Sequence, residues 1–258
     1  MTMTNVGSAD LVSAWERALG QSPAQQALVL LSIASPESST EELAQLSLGE
    51  RDTRLLTLRE RIFGSELNSI AVCPRCGGRI EVIFDVSDIR GGATPDDRVE
   101  STSGGSVSLE GYRVGFRLPN TADLSSIAAI ADVDQAREQL LCRCIRSVAR
   151  DGTEGAPDEP IDDVRRLPAT VVRAVADRMA AADPRADTRL ALSCPDCRHR
   201  WDAVFDIATY LADEIHHWVE RVLREVHSLA SAYGWRESDI LAMTPARRRA
   251  YLDLLNRG

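Results

Sequence analysis

Two Cys-Pro-x-Cys motifs constrain the fold of this chain more than any other feature. They begin at Cys73 and Cys194, 121 residues apart, and the residues that follow each motif also match without a gap. Cys-Pro-Arg-Cys-Gly-Gly-Arg-Ile-Glu-Val-Ile-Phe-Asp-Val aligns with Cys-Pro-Asp-Cys-Arg-His-Arg-Trp-Asp-Ala-Val-Phe-Asp-Ile. The chain therefore contains an internal duplication, in which residues 73–86 and 194–207 each join a cysteine knuckle to a predicted strand.

The duplicated knuckles predict a metal site. A structural zinc ion takes four ligands in a tetrahedron, and each knuckle supplies only two thiolates. We therefore predict one structural Zn²⁺ per chain in a four-cysteine zinc ribbon, because four thiolates leave no position for water or substrate. The predicted ligands are Cys73, Cys76, Cys194 and Cys197. Nearby arginines could offset part of the negative charge: Arg75, Arg79, Arg198 and Arg200.

Two other uses of the cysteine pairs remain open at this point. A disulfide framework requires an oxidising compartment, whereas the first ten residues have neither the basic nor the apolar region of a secretion signal. A redox Cys-x-x-Cys pair usually lies at the start of a helix, whereas strand-like residues follow both pairs. We therefore expect a cytoplasmic, metal-binding protein. His199 is expected to be a turn residue, and Cys142 and Cys144 to be small buried side chains.

The composition favours packed helices and argues against two classes of partner. The 258 residues are 44% hydrophobic but only 5% aromatic, so the core must consist mainly of aliphatic side chains. No apolar run is long enough to cross a membrane. A net charge of −9 opposes binding to a phosphate backbone. All 30 basic residues are arginine, and the densest run, residues 247–249, is expected to be a solvated helical face.

Periodicity and capping signals predict an α+β, mostly helical fold. We divide the chain into an N-terminal helical segment, residues 1–48, and a helical domain with the split ribbon, residues 49–258. Predicted helices begin at Ser8, Ser22, Ser39 and about Asp52, and others cover residues 121–149, 168–182 and 207–256. A small hairpin is predicted over residues 107–118, inside the insertion 77–193 that separates the knuckles. Exposed loops are predicted at residues 91–105 and 151–163.

No pattern in the sequence argues for catalysis or for a small-molecule substrate. Asp85 and Asp206 occupy equivalent positions after the two predicted strands, where aspartate commonly caps the next helix. Phosphate-binding loops, nucleophile elbows and zinc-protease motifs are absent from the sequence. Three histidines, His216, His217 and His227, lie on the long helix without acidic ligands at productive spacing. We expect a protein that is not an enzyme.

Several stretches resemble a known family. They are Gly49–Gly64, Arg117–Leu124, Glu225–Trp235, Ser238–Met243 and Arg247–Tyr251. With the knuckles, they resemble accessory baseplate proteins of contractile tail-like machines, including the T4-type phage baseplate hub assembly chaperone family and its relatives in contractile injection systems. The resemblance implies a non-enzymatic baseplate component or assembly chaperone that contacts other tail proteins.

Two other kinds of function, nucleic-acid binding and catalysis, remain alternatives to a baseplate role. A nucleic-acid-binding zinc ribbon would use the basic run at residues 247–249 to contact phosphates, although the acidic balance of the chain opposes it. A zinc-dependent or thiol enzyme would need an open metal position or a reactive thiol.

Overall fold

Residues 6–90, 104–150 and 163–255 are described by a computed structural model of the chain. The helices are α1 (Ser8–Ala18), α2 (Pro23–Ala34), α3 (Thr40–Ala44), α4 (Leu48–Phe63), α5 (Val86–Arg90), α6 (Thr121–Ile127), α7 (Val133–Cys144), α8 (Ala169–Ala182), α9 (Ile207–Tyr233), α10 (Glu237–Leu241) and α11 (Pro245–Leu255). The strands are β1 (Glu66–Val72), β2 (Arg79–Asp85), β3 (Gly104–Leu109), β4 (Tyr112–Arg117), β5 (Ile145–Arg150), β6 (Arg189–Ser193) and β7 (Arg200–Val204).

These elements confirm the predicted α+β, mostly helical class. Contacts group the chain into two compact units. Unit 1 joins residues 1–39 to residues 207–258, and unit 2 comprises residues 40–206. The domain boundary predicted after residue 48 stays a prediction, because a compact set of contacts does not show which part of a chain folds independently.

The first helices of unit 1 begin and end where local signals direct them, with one difference. Ser22 caps α2, since its hydroxyl accepts a hydrogen bond from the Gln25 N–H at 3.4 Å. Helix α1 was predicted to be capped by Ser8, but Gly7 is the capping residue and Ser8 is already helical. The Asp10 carboxylate accepts the Gly7 N–H at 2.9 Å. The helix therefore begins one residue earlier than predicted, and this hydrogen bond satisfies the backbone N–H of its capping residue.

Helix α9 is the central element of unit 1 and packs against α1, α2, α10 and α11. Most of the apolar stripe predicted for it is buried, at Leu211, Ile215, Val222, Val226 and Leu229. Two members of the stripe depart from this pattern, because Trp218 is half-buried and Tyr233 is 38% exposed. The stripe therefore builds the core, while its last aromatic residue faces solvent.

The prediction of a solvated basic face at residues 247–249 is wrong for its central residue. Arg248 is only 2% exposed, although Arg247 and Arg249 are exposed. The Arg248 Nε donates to Glu225 Oε2 at 2.9 Å, and Nη1 donates to the Met243 carbonyl at 2.9 Å. Burial of a charge is tolerated here because a carboxylate and a carbonyl replace water.

In unit 2, α4 begins earlier than predicted and requires a glycine in its first turn. The Ser47 hydroxyl accepts the Glu50 N–H at 3.3 Å, so the helix begins at Leu48 and not near Asp52. The Asp183 carboxylate accepts the Gly49 N–H at 2.9 Å. A Cβ at residue 49 would lie 1.9 Å from Asp183 Oδ1, so only glycine admits this contact.

Each knuckle is the turn of a two-stranded antiparallel hairpin. The predicted strands after the knuckles are confirmed as β2 and β7. The strands before them, β1 and β6, were not predicted, and they pair with β2 and β7 in register. The duplication therefore comprises a complete strand-knuckle-strand unit. Apart from the buried Leu67 and the end of β2 at Asp85, the side chains of both hairpins alternate between half-buried and exposed, as expected for strands with one face against the protein and the other in solvent.

A three-stranded antiparallel sheet, in the order β3-β4-β5, lies between the knuckle hairpins in sequence. The predicted hairpin is confirmed as β3 and β4, with Glu110 and Gly111 both at positive φ in the turn. The helical stretch predicted over residues 121–149 is confirmed as two separate helices, α6 and α7, but is wrong after Cys144, where α7 gives way to β5. The core between this sheet, α7 and α8 includes Val114, Phe116, Leu141, Ile145, Val171 and Val175.

Two of the predicted loops lie mostly outside the described residues. In the loop predicted at residues 91–105, only Gly104 and Gly105 are described, and both belong to β3. In the loop predicted at residues 151–163, only Asp163 is described, and it caps a short 3-10 turn at Val164–Arg166. Within the described residues, none of the helices combines the length and apolar character that a membrane span requires.

The buried arginine of α11 yields a stability prediction. Replacing Arg248 by alanine leaves the Glu225 carboxylate and the Met243 carbonyl without their cation, so we expect the free energy of unfolding to fall by about 3 to 5 kcal/mol. Urea unfolding followed by circular dichroism measures the change. The matched control is Arg249→Ala, an exposed neighbour, for which we expect a change within about 0.5 kcal/mol. Equal effects of the two substitutions would contradict the role assigned to Arg248.

Candidate functional site

The two knuckles share one backbone geometry. In the first, the Cys73 N–H donates to the Gly78 carbonyl at 2.9 Å, and the Gly77 N–H donates to the Cys73 carbonyl at 2.9 Å. In the second, the Cys194 N–H donates to the His199 carbonyl at 2.9 Å, and the Arg198 N–H donates to the Cys194 carbonyl at 3.0 Å. The duplication seen in the sequence is therefore also a duplication of hydrogen bonds.

The residue after each second cysteine has a left-handed backbone. Gly77 has φ +72° and Arg198 has φ +58°. This conformation turns the chain back into the second strand, and it favours glycine because side chains crowd the backbone there. Arg198 adopts it without being glycine, so the second knuckle holds a strained residue for the sake of the same turn.

The four predicted ligand sulfurs come together in one cluster. All four lie within 4.8 Å of one another. Two contacts bridge the hairpins: Cys73 Sγ lies 3.7 Å from Cys197 Sγ, and Cys76 Sγ lies 3.6 Å from Cys194 Sγ. A disulfide needs about 2.05 Å, whereas a tetrahedron with Zn–S bonds of about 2.3 Å has edges of about 3.8 Å. The geometry is compatible with zinc.

The electrostatics of the cluster favour a cation at its centre. Burial disfavours the Cys73 thiolate, yet hydrogen bonds from the backbone of Cys76 and Arg75 lower the pKa of Cys73 to about 7. The backbone of Gly78 acts in the same direction on Cys76, but the three neighbouring sulfurs raise the pKa of Cys76 to about 12. The first thiolate of the cluster forms readily, and its charge then disfavours the formation of a second thiolate. A bound cation offsets the repulsion between them.

The surroundings of the cluster are partly as predicted. Cys73 and Cys194 are buried, whereas Cys76 is exposed and Cys197 half-buried. A Cβ at Gly78 would lie 3.0 Å from Asp196 Oδ2, so the two knuckles touch each other through this glycine. His199 is outside the cluster and stacks on Trp201, with ring centroids 6.0 Å apart. The four arginines expected to offset the charge are all exposed: Arg75, Arg79, Arg198 and Arg200.

The remaining two cysteines lie away from the cluster. Cys144 is fully buried, and burial raises the pKa of its thiol to about 11. Cys142 is half-buried and accepts the Val164 N–H at 3.2 Å. Neither contributes to the cysteine cluster. Burial of Cys144 agrees with its prediction as a small packed side chain.

A buried carboxylate, not identified from the sequence, organises the stretch Arg117–Leu124. Asp123 has no exposed surface. Its carboxylate accepts hydrogen bonds from both terminal nitrogens of Arg117, with Nη2 at 2.8 Å, and from Arg143 Nε at 2.9 Å. It also accepts the Asn120 N–H at 3.1 Å. The interaction ties β4, α6 and α7 together at one point.

Asn120 links this carboxylate to the region before α4. Its side-chain oxygen accepts the Asp123 N–H at 3.0 Å, which closes a capping box at the start of α6. Its side-chain nitrogen donates to Gln45 Oε1 at 2.9 Å, and its backbone forms an isolated bridge with Ser47. The Asn-x-x-Asp spacing is a sequence signal that could have located this network, since the reciprocal cap needs both residues.

A second group of metal-type ligands lies in unit 1, on α9. Ligand atoms of His216, His217 and Glu220 all lie within 4.8 Å of one another. However, His216 Nδ1 accepts the Trp15 Nε1–H at 2.8 Å, so the proton of a neutral His216 ring is on Nε2, which faces Glu220 at 3.5 Å. A metal ion at Nε2 would require loss of the Trp15 hydrogen bond. This geometry favours a hydrogen-bonded chain over a metal site.

Of the two equivalent aspartates after the knuckle hairpins, Asp85 occupies a capping position and Asp206 lies near Asp52. Asp85 caps the turn into α5: its carboxylate accepts the Ser87 N–H at 2.8 Å. Hydrogen bonds from Ser65 and Ser87 lower the pKa of Asp85 to about 2. Burial raises the pKa of Asp52, and the nearby carboxylate of Asp206 acts in the same direction, while Arg51 opposes it. Asp85 therefore has the capping role predicted from its position.

Fold and site together define a class: a mostly helical α+β protein in which two duplicated hairpins bring four cysteines into one cluster. Residues 10–211 match the family model of the T4 bacteriophage base plate protein. Since this match spans most of the chain, the chain belongs to that family. Comparison with curated proteins gives no match, and neither does comparison with solved structures.

The family match confirms the resemblance to T4-type baseplate proteins and supports a role as a component of the phage baseplate. The branch of assembly chaperones stays a prediction. The match ends at residue 211, so three of the resembling stretches lie beyond it: Glu225–Trp235, Ser238–Met243 and Arg247–Tyr251. The buried position of Arg248 also removes the central cation from the basic run on which the nucleic-acid interpretation depended.

The buried carboxylate yields a pH prediction. Burial alone would raise the pKa of Asp123, but hydrogen bonds from Arg117, Asn120 and Arg143 lower it. A folded pKa below the unfolded value of about 3.9 stabilises the protein above about pH 4, and this stabilisation is lost as the pH falls through the folded pKa. For Asp123→Asn we expect a loss of about 3 kcal/mol at neutral pH that narrows below about pH 4.

Urea unfolding at a series of pH values measures this difference. The control is Asp177→Asn, since Asp177 is exposed on α8 in the same unit. We expect that variant to follow the wild-type curve within about 0.5 kcal/mol at every pH. A constant difference between wild type and Asp123→Asn across the acid range would contradict the ionic role of Asp123.

Proposed function

We propose that the chain is a non-enzymatic component or assembly chaperone of the baseplate of a contractile phage-tail-like particle. One structural Zn²⁺ per chain, held by Cys73, Cys76, Cys194 and Cys197, stabilises it as a split zinc ribbon. The family match carries the baseplate role. In this proposal the chain acts in the cytoplasm of the producing bacterium and contacts other baseplate and tail proteins.

The donor set supports zinc over other occupants of the cluster. Four thiolates at tetrahedral separations suit a soft or borderline ion, whereas calcium and magnesium take oxygen ligands. Backbone N–H groups of both knuckles point at the sulfurs, which is the usual outer shell of such sites. Four protein ligands saturate a tetrahedral ion, so the proposed metal has a structural role and does not act on a substrate.

The zinc supplies stability that the two hairpins lack by themselves. Isolated two-stranded hairpins are marginal in water, and the two knuckles are separated by residues 77–193. Joining them carries an entropic cost that rises slowly with the length of the loop. Apparent binding free energies of structural zinc in small peptides are about 10 to 16 kcal/mol, which exceeds that cost.

Substitution of the cysteines tests the metal. The single variants Cys73→Ser and Cys194→Ser each remove one thiolate, the first from the β1-β2 hairpin and the second from the β6-β7 hairpin. For each variant we expect loss of stoichiometric zinc and a fall in the free energy of unfolding on the order of 5 kcal/mol. Elemental analysis of the purified protein measures the zinc, and urea unfolding measures the stability. Cys142→Ser is the matched control, because Cys142 lies outside the cluster and its variant keeps the metal.

A wild-type protein that contains no zinc, and whose stability a chelator leaves unchanged, would remove the metal from the proposal. The baseplate role would survive that result, because it depends on the family match.

Co-purification tests the baseplate role. We expect the chain to purify with tail-like particles, or with their baseplate intermediates, when the complete cluster of tail genes is expressed. Quantitative mass spectrometry of finished particles and of intermediates gives the copy number in each. A constant copy number in finished particles indicates a component, whereas presence in intermediates alone indicates an assembly chaperone. Absence from both would refute the proposed function.

A further inference from the structure

Three aromatic rings meet at one surface of unit 1, where α9 ends and α11 passes it. The Tyr233 and Trp235 rings are stacked, with centroids 4.5 Å apart. The Tyr251 ring stands nearly perpendicular to Trp235, with centroids 4.8 Å apart, and lies 5.9 Å from Tyr233. Three of the eight tryptophans and tyrosines of an aromatic-poor chain are thus gathered in one place.

These rings are not needed to fill the core. The buried stripe of α9 ends at Leu229, one turn before the rings. Tyr233 is 38% exposed, Trp235 and Tyr251 are half-buried, and the nearby Leu254 of α11 is 59% exposed. The rings touch one another, so they leave no cage between them and present a preformed outer surface. Ordering such a surface in a complex costs little conformational entropy.

A cationic side chain, that of Arg247, borders the rings. The guanidinium of Arg247 lies 5.8 Å from the centroid of the Tyr251 ring. In the described part of the chain Arg247 forms no salt bridge, whereas the adjacent Arg248 is paired with Glu225. An arginine beside tryptophan and tyrosine is the composition typical of the energetically dominant residues of protein interfaces.

We propose that Tyr233, Trp235, Tyr251 and Arg247, here called the aromatic patch, dock a segment of another protein of the particle. That segment places a carboxylate against Arg247 and a bulky apolar side chain against the rings. The charge of Arg247 specifies the carboxylate, since a guanidinium beside an aromatic ring binds an anion in a planar, directional way. The assignment of the partner to the particle rests on the proposed baseplate function, whereas the chemistry of the segment does not.

Selection of peptides on the whole protein tests the aromatic patch. A library of random linear peptides displayed on yeast is selected on wild-type protein, and the enriched peptides are titrated by fluorescence polarisation. We expect them to carry Asp or Glu close to a bulky apolar residue. Binding should weaken about tenfold in Arg247→Glu and about 30-fold in Trp235→Ala. Arg249→Glu, with the same charge change on the same helix, should bind like wild type.

Each other outcome overturns the inference. These outcomes are a selection that enriches no peptide, enriched peptides without a carboxylate, and equal binding to wild type and Arg247→Glu. Arg247 is exposed, so its variant stays folded even if Trp235→Ala does not.

Sedimentation that detects a dimer lost in Arg247→Glu would assign the patch to a second copy of the chain instead. Peptide binding uses the isolated protein, so its failure is independent of the co-purification result.

Discussion

The meeting of four cysteine sulfurs from two distant hairpins is the contact on which the organisation of unit 2 depends. Among the residues that the structure describes, neither hairpin, β1-β2 nor β6-β7, belongs to a larger sheet, and each exposes one face. Like-charged thiolates at 3.6 to 3.7 Å oppose one another, so the cluster is stable only with protons or a cation between the sulfurs. The backbone hydrogen bonds in the turns of both knuckles hold the sulfurs in place, whether protons or a cation lie between them.

A second polar centre, around Asp123, solves a similar problem with the cations of the protein itself. Its carboxylate is fully buried and is satisfied by two arginines and a backbone N–H. The neighbouring core is aliphatic and adaptable in shape, so directional contacts of this kind specify how β4, α6 and α7 meet. Arg248 and Glu225 have the corresponding role in unit 1. In both units a buried charge connects helices that apolar packing alone would leave free to shift.

Membership of the baseplate family makes the surfaces of this chain central to its role. A component of a large assembly must present the same shape to its neighbours each time it is incorporated. Polar centres and a cysteine cluster restrict that shape, and the aromatic patch has Tyr233 on α9, Arg247 and Tyr251 on α11, and Trp235 just beyond the end of α9.

Features that depend on local spacing were predictable from the sequence: the cysteine cluster from its duplication, the β3-β4 hairpin from its turn, and α9 from its stripe. Strand β5 was missed because Ile145 continues the apolar pattern of α7 without a breaker, and pairing with β4 decides its state. The burial of Arg248 depends on Glu225, 23 residues away on another helix. The sequence thus determined which residues repeat and the approximate positions of most helices, whereas the tertiary structure decided which strands pair and which charges are buried, because pairing and burial require partners that only folding brings together.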